Sequence, residues 1–252
     1  MDDFGKLFIV ATPIGNLEDI TLRALRVLRE VDIIAAEDTR HTRKLLSHYK
    51  INAKLVSCHE HNEYKREDEF LDYLTKGLSI AVVSDAGTPT ISDPGFRIVS
   101  AAISNNFKVI PIPGTSAVSA SLSASGLPTD SFYFVGFLPK KRSKRLALLN
   151  SILFLNTTLI FYESPKRIVS LIDEIYEISG NRDAVVAREI TKLHEEFIRG
   201  TLKEISELLK ARTSIKGEFV LLIDFNKIYK HCDNNIKNIY EEIVYSINKN
   251  YN

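Results

Sequence analysis

Short apolar runs alternate with amphipathic stretches along the first half of the chain. The runs at 7–11, 32–36, 80–83 and 109–112 predict buried strands. Leu22, Leu25, Val27 and Leu28 recur at helical spacing between the first two runs, and similar patterns cover 98–103 and 117–124. This β-α-β-α order predicts a mostly parallel sheet with helices on both faces.

The pattern changes after the Gly126-Leu127-Pro128-Thr129 segment. The predicted strands that follow lie closer together, at 132–135, 158–162, 185–188, 197–201 and 219–224. Closer strands favour a mixed second sheet, so we predict an α/β protein of two α/β domains. The predicted bounds are 1–116 for the N-terminal domain, 117–226 for the C-terminal domain and 227–252 for an amphipathic helical tail. The apolar face of that tail comprises Ile236, Ile239, Tyr240, Ile243 and Ile247.

Composition and charge narrow the class of protein. The 252 residues include 33 basic and 32 acidic side chains, with net charge −2 over 1–125 and +3 over 126–252. This asymmetry permits a polyanionic partner without requiring one. Two distant cysteines, Cys58 and Cys232, suit a reducing compartment, and neither a signal peptide nor a membrane-length apolar run is evident. We therefore expect a cytoplasmic protein.

Three loops rich in Gly, Pro and hydroxyl groups follow predicted strands, at 12–16, 84–95 and 111–117. Open α/β sheets bind their ligands at the carboxyl ends of the strands. Neither a Gly-x-Gly-x-x-Gly dinucleotide loop nor a P-loop is present. The loops are therefore either ordinary βα turns or a small-molecule site of another type, and the recurrence of three favours a site.

Other charged motifs allow structural and functional interpretations. Asp38 or Thr39 can cap a helix, but Arg40 and His41 beside the acids also suit a substrate. Cys58-His59-Glu60-His61 lacks a second His/Cys cluster, so we expect a polar loop and no metal. In the segment 161–167, Pro165 is expected at the first position of a helix. The basic cluster at 139–145 is either solvated or holds a phosphate backbone.

Six motifs in order resemble the tetrapyrrole-methylase superfamily of class III S-adenosylmethionine methyltransferases. They are Thr12-Pro13-Ile14-Gly15-Asn16, Ala36-Glu37-Asp38-Thr39-Arg40, Ser84 to Gly95, Pro113-Gly114, Phe161-Tyr162-Glu163-Ser164-Pro165 and Gly217-Glu218-Phe219. Within it they resemble the family of ribosomal RNA small subunit methyltransferases I. The resemblance implies a homodimer that methylates the ribose 2′-oxygen of a cytidine in the decoding region of 16S rRNA, in the small ribosomal subunit.

The resemblance also implies a non-Rossmann fold with S-adenosyl-L-methionine in a cleft between the domains. The implied cofactor-binding residues are Pro13, Gly15, Asp85, Ala86, Gly87, Thr88, Pro89, Ser116, Ala117, Phe161, Tyr162, Ala187 and Gly217. Candidates for a base or acceptor at the ribose hydroxyl are Asp38, Glu163 and Glu189. Candidate RNA contacts are Arg23, Arg40, His41, Lys140, Lys141, Arg142, Lys166, Arg167, Arg188 and Lys192.

Two competing functions remain at this point. A tetrapyrrole C-methyltransferase would share the fold and cofactor, but the charged turns at 37–41 and 163–167 suit a nucleotide better. A non-catalytic RNA-binding or ribosome-assembly protein would have no use for the cofactor loops. One departure from the family is the short segment after Asp224-Phe225, where relatives often carry a longer RNA-binding extension.

Overall fold

The computed structural model describes residues 4–226, so the predicted tail at 227–252 lies outside the described residues. The described chain forms two compact units. Residues 4–120 and 189–195 make up the first unit, and 121–188 with 196–226 make up the second. Each unit is built around its own sheet.

The first unit contains five parallel strands in the spatial order β3-β2-β4-β1-β5. Their bounds are Lys6–Val10 for β1, Ile33–Ala36 for β2, Lys54–Ser57 for β3, Ile80–Val83 for β4 and Lys108–Ile112 for β5. Every residue of β2 and β4 is buried, as expected for central strands covered on both faces. Because all five strands run in the same direction, their carboxyl ends meet at one edge of the sheet.

Four helices cover this sheet, two on each face. They are α1 (Leu22–Glu30), α2 (Thr39–His48), α3 (Glu63–Thr75) and α4 (Phe96–Ser104). Leu28 and Leu46 of α1 and α2 pack in one core cluster with Ile34. Phe70 of α3 and Ile98 of α4 pack in a second cluster, together with the strand residues whose side chains point to the other face of the sheet. Connections therefore leave neighbouring strands toward opposite faces, which opens a crevice at the carboxyl edge.

The second unit contains a mixed sheet in the order β6-β7-β10-β8-β9, with only β6 and β7 parallel. The strands span Phe132–Phe137, Thr158–Glu163, Asp183–Arg188, Glu196–Thr201 and Phe219–Asp224 for β6 to β10. Helix α5 (Ala117–Ser125) precedes them; α6 (Arg142–Ile152), α7 (Ile168–Ser179) and α8 (Leu202–Lys210) pack on one face. The prediction of an α/β fold with a mixed second sheet is confirmed.

Several local expectations need correction. Helix α7 begins at Ile168, so Pro165 lies in the preceding turn and not at its first position. Leu22 belongs to α1 as predicted, but its side chain is 86% exposed. The sequence pattern did not reveal β3, α3, α6 or α8 as elements, and it indicated α2 only through the predicted cap at Asp38 or Thr39. No helix among the described residues is long and apolar enough to cross a membrane.

Candidate functional site

Three predicted cofactor loops are joined at the carboxyl edge of the first sheet. Thr12 after β1 and Gly87 after β4 exchange two backbone hydrogen bonds of 2.9 Å. The Thr115 hydroxyl after β5 donates to the Thr12 carbonyl, and the Thr88 hydroxyl donates to the Thr115 carbonyl at 3.0 Å. These bonds hold Pro13, Asp85–Pro89 and Ser116–Ala117 in one rigid group of loops.

Glycine is required at two positions in these loops. Gly87 has φ +81°, in the left-handed region that disfavours a side chain. A Cβ on Gly114 would lie 2.9 Å from the Cβ of Ala11. The loop after β4 continues with Thr90 at φ 75° and Ser92 at φ 65°, conformations uncommon for residues with side chains. This backbone is fixed in an unfavourable geometry, as is common where a loop presents groups to a ligand.

Gly15 packs against the segment 189–195 within the same unit. A Cβ there would overlap the Lys192 side chain and lie 2.8 Å from the Thr191 hydroxyl oxygen. Lys192 forms a 2.9 Å ion pair with Glu189. Glu189, a candidate base, therefore lies beside a cation in a segment with φ of 49° at Glu189 and 67° at Thr191.

The loops after β2 and β4 are linked through their acids. The Asp38 N–H donates to Asp85 Oδ1 at 3.0 Å, and the Asp85 N–H donates to Glu37 Oε2 at 3.3 Å. Asp38 caps α2 by accepting from the Arg40 N–H at 2.8 Å, as the sequence predicted. Hydrogen bonds from Arg40 also lower the pKa of Asp38, so this candidate base is a weak one in the free protein.

A cavity of about 500 Å³ opens beside these loops. Its lining comprises Glu37, His59, Glu60, His61, Glu63, Ser92, Asp93, Pro94 and Phe96. Burial, followed by the charge of Glu37, raises the pKa of Asp93 to about 6. Burial also raises the pKa of Glu37, and the charge of Asp85 adds to that effect. Two carboxyls that resist ionisation thus share one cavity.

Glu37 and Asp93 were absent from the candidate residues chosen from sequence. Both lie inside motifs that the sequence had singled out, Ala36 to Arg40 and Ser84 to Gly95. Their mutual effect arises because β2 and β4 are neighbours, with Ala36 opposite Val83. His59 and His61 line this cavity, and no group of three or more His, Cys, Asp and Glu side chains that could hold a metal ion occurs within residues 4–226.

In the second unit, the predicted cofactor residues lie on several strands of the mixed sheet. Phe161 is fully buried in the core beneath the helices, whereas Tyr162 contacts the rings of Phe134 and Phe137 at 4.9 and 5.5 Å between centroids. Ala187 is buried on β8, and Gly217, with φ +106°, precedes β10. Phe161 lies in an inner strand, where its backbone is paired with β6 and β10, so its ring serves the core.

Glu163 ends β7 and is 2% exposed. Its Oε1 accepts from the Ser164 N–H at 2.6 Å and pairs with Arg167 Nη2 at 2.7 Å. Its Oε2 is buried and has no hydrogen-bond partner within the described part of the chain. Buried polar atoms are normally paired, so this unpartnered oxygen is an exception that calls for a functional explanation.

Half of the ten predicted RNA-contacting residues are paired with acids. Besides Arg40, Arg167 and Lys192, Arg188 lies 3.6 Å from Glu196, and Arg142 lies 3.2 Å from Glu174. Within the basic cluster at 139–145, Arg145 is held by the same Glu174 at 2.7 Å. The other five, Arg23, His41, Lys140, Lys141 and Lys166, are exposed on the surface, as are the paired Arg40 and Arg142.

Comparisons with known proteins show the family to which the chain belongs. The family model for tetrapyrrole (corrin/porphyrin) methylases matches residues 6–206. A ribosomal RNA small subunit methyltransferase I from Halalkalibacterium halodurans is 52% identical over 225 residues, covering 89% of this chain and 78% of that protein. The protein of the same name from Thermotoga maritima is 50% identical over 200 residues, covering 79% of this chain and 90% of its own.

Solved structures show the same fold at low sequence identity. Uroporphyrin-III C-methyl transferase from Thermus thermophilus, complexed with S-adenosyl homocysteine, has a TM-score of 0.60 at 17% identity, covering 89% of this chain and all of its own. Diphthine synthase has a TM-score of 0.67 at 13% identity, covering 87% of this chain and 90% of its own. With these matches the resemblance first drawn from six motifs is confirmed. The chain belongs to the tetrapyrrole (corrin/porphyrin) methylase family, and within it to the ribosomal RNA small subunit methyltransferases I.

Proposed function

We propose that this protein transfers a methyl group from S-adenosyl-L-methionine to the ribose 2′-oxygen of a cytidine in the decoding region of 16S rRNA. The observation that carries this proposal is the identity of about half of all aligned residues with relatives named ribosomal RNA small subunit methyltransferase I. The acceptor is RNA within the small ribosomal subunit, and the enzyme acts as a cytoplasmic homodimer.

S-adenosyl-L-methionine is the cofactor, and the joined loops of the first unit suit it. The backbone N–H groups of Ala86 and Thr88 donate no hydrogen bond to any described residue. Asp85 supplies a carboxylate, and the neighbouring Thr and Ser hydroxyls supply further donors and acceptors, which suits ribose hydroxyls and an ammonium group. When bound, the cofactor supplies an electrophilic methyl group on a positively charged sulfur. The hydrogen bonds among these loops hold the donor set in place before binding.

Among the three candidate bases, Glu163 is favoured by its unpaired oxygen. Asp38 is bound on both oxygens by Arg40, and Glu189 pairs with Lys192. Glu163 instead keeps Oε2 buried and unpaired among the described residues, while Oε1 is fixed by Ser164 and Arg167. We assign to Oε2 the role of accepting the proton or hydrogen bond of the ribose 2′-hydroxyl. Arg167 positions this carboxylate.

The exposed cations have a separate role in this proposal. Lys140 and Lys141 lie on the surface before α6, and Lys166 lies in the turn before α7. Lysines of this kind bind phosphates without reading sequence. They would strengthen the encounter with RNA, and their contribution would weaken as salt rises.

Tritium transfer from labelled S-adenosylmethionine tests the proposed function. The acceptors are small ribosomal subunits lacking the modification, naked 16S rRNA and a tetrapyrrole precursor. We expect label in the subunit RNA, recovered as an alkali-resistant 2′-O-methyl dinucleotide. An Asp85→Ala variant should bind S-adenosylhomocysteine about 10-fold or more weakly, as expected for loss of a charge-assisted hydrogen bond. Label in the tetrapyrrole alone would overturn the substrate, and no label with any acceptor would overturn the activity.

A further inference from the structure

The cavity beside the loops of β2, β3 and β4 has features that the cofactor site leaves unused. It is bordered by two half-buried acids, Glu37 and Asp93, and by His59, whose buried Nδ1 has no hydrogen-bond partner among the described residues. Its volume of about 500 Å³ exceeds what a single planar heterocycle needs. A cavity with several unused polar atoms is built for a polar ligand.

We propose that this cavity receives the base of the target nucleotide and that Glu37 and Asp93 read the amino edge of cytosine. This inference rests on the proposed function, because it assigns the recognition of the methylated cytidine to named residues. A carboxylate accepts a hydrogen bond from the cytosine N4 amino group, and this is the standard pairing of an acid with that base.

The acids have free capacity for this contact. Glu37 accepts from the Asp85 N–H at 3.3 Å, and the Ser84 hydroxyl, which donates to the Ala86 carbonyl at 3.3 Å, lowers the pKa of Asp93. No Lys or Arg side chain forms an ion pair with either acid within residues 4–226. Burial and the charge of Glu37 raise the pKa of Asp93, so Asp93 holds a proton more readily than an isolated aspartate does. A protonated carboxyl can donate to cytosine N3 while the other accepts from N4.

The charge of the cavity decides which part of an RNA can enter it. Glu60 and Glu63 also line it, so a phosphate group would meet net repulsion. A neutral base that presents an amino group is not repelled, because the amino group can donate hydrogen bonds to the carboxylates. Uracil presents a carbonyl oxygen at the same place, which would face a carboxylate oxygen. An ionised carboxylate opposite the exocyclic group therefore favours cytosine over uracil.

An exposed aromatic ring lines this cavity, and a second lies next in sequence to the lining residue Glu63. Phe96 lines the cavity and is 72% exposed, and Tyr64, from the start of α3, is 75% exposed. The Arg97 guanidinium lies 5.8 Å from the Tyr64 ring centroid. Proteins that recognise unpaired RNA bases stack them on aromatic rings and guanidinium planes while reading their Watson–Crick edges. Phe96 is therefore placed to stack against a base that enters the cavity.

The test measures base preference rather than activity alone. Small subunits are assembled with either the target cytidine or a uridine in its place, and kcat/KM is measured for both with the intact enzyme. The variants are Glu37→Gln and Asp93→Asn, with Asp72→Asn as the control, because Asp72 is an exposed acid of the same unit. S-adenosylhomocysteine affinity is measured for each variant to verify that the cofactor loops are intact.

We expect the unmodified enzyme to prefer cytidine over uridine by about 10- to 100-fold, the range for one good contact between a carboxylate and a nucleobase. Glu37→Gln and Asp93→Asn should lower this preference at least about 10-fold, since an amide can also donate to the uracil oxygen. Asp72→Asn should leave it unchanged. Unaltered preference in both cavity variants, with unchanged cofactor affinity, would overturn this inference while leaving the proposed function intact. Absence of transfer to cytidine subunits by the unmodified enzyme would overturn both.

A second variant keeps the inference testable if an acid variant fails to fold. Phe96→Ala removes an exposed ring, and Phe154→Ala removes a ring that is 69% exposed in the other unit. Loss of base stacking in the first should lower kcat/KM about 5- to 100-fold, and the second should retain full activity. Equal activities of the two variants would contradict the placement of the base against Phe96.

Discussion

The two units use their carboxylates in opposite ways. In the second unit, Glu174 and Glu196 are each held by two arginines, and those arginines lower both pKa values. In the first unit, Glu37 and Asp93 have no such partner, and burial raises both pKa values. Acids of the first kind fix the fold, whereas acids of the second kind cost stability. A protein keeps such acids where a ligand uses them.

Glu163 combines both arrangements in one side chain. One oxygen is paired with Arg167, as in the structural acids of the second unit. The other oxygen is buried without a partner among the described residues, as in a ligand-binding acid. Substitutions in the three classes should therefore produce three different results: loss of folding stability, loss of catalysis, and a gain of stability.

Breaking the most enclosed arginine pair should have the largest effect. Glu174 is 8% exposed and binds Arg145, whose side chain is 11% exposed. Glu174→Ala leaves a nearly buried guanidinium without its counter-ion, which should lower the free energy of unfolding by about 3–5 kcal/mol. Urea unfolding followed by circular dichroism measures this change.

The matched control is Asp72→Ala. Asp72 pairs with Lys76 on the surface of α3, where the two side chains are 54% and 62% exposed. Its loss should change the free energy of unfolding by less than about 0.5 kcal/mol. If the two variants lost similar stability, the arginine pairs of the second unit could not be regarded as the elements that fix its structure.

Glu163→Gln should separate catalysis from folding. The amide oxygen still accepts from Ser164, so the turn after β7 persists, but the side chain no longer accepts a proton. We expect kcat to fall about 100-fold or more, with S-adenosylhomocysteine affinity unchanged. Single-turnover methyl transfer to small subunits measures the chemical step. A variant that retained most of its single-turnover rate would exclude Glu163 as the acceptor.

The sequence predicted the fold well where strands are central and buried. The run 80–83 coincides with β4, whose four residues are all buried on both faces. It missed β3, because this edge strand has only four residues, none of them fully buried. Helix α2 was indicated only by its cap, because its buried positions, Thr42, Leu45 and Leu46, form too short an apolar pattern among charged residues. Edge elements depend on tertiary contacts more than on their own pattern.

The site was predictable where backbone geometry determines the residue type. Gly87 and Gly114 are visible in the sequence because turns and close approaches require glycine. Glu37 and Asp93 were not, because their interaction depends on the pairing of β2 with β4 across a long stretch of intervening chain. In the same way, nothing in the basic cluster at 139–145 shows that Glu174 neutralises two of its arginines.

Asp93→Asn should give the smallest effect and the opposite sign. The carboxyl has a pKa of about 6 in the folded protein against 3.8 for an ordinary aspartate, so the native state binds more protons than the unfolded state between these values. A protonated Asp93 does not destabilise the folded state, so its favourable contribution to the free energy of unfolding is fully present below pH 3.8. That contribution is lost as the pH rises through 6 and the buried carboxyl ionises. Because Asp93 is only half-buried, solvent screening reduces the effect, and Asp93→Asn should raise the free energy of unfolding by about 1 kcal/mol at pH 7.5. That gain should vanish near pH 4, and a variant less stable than the unmodified protein at pH 7.5 would show that Asp93 serves the fold and not a ligand.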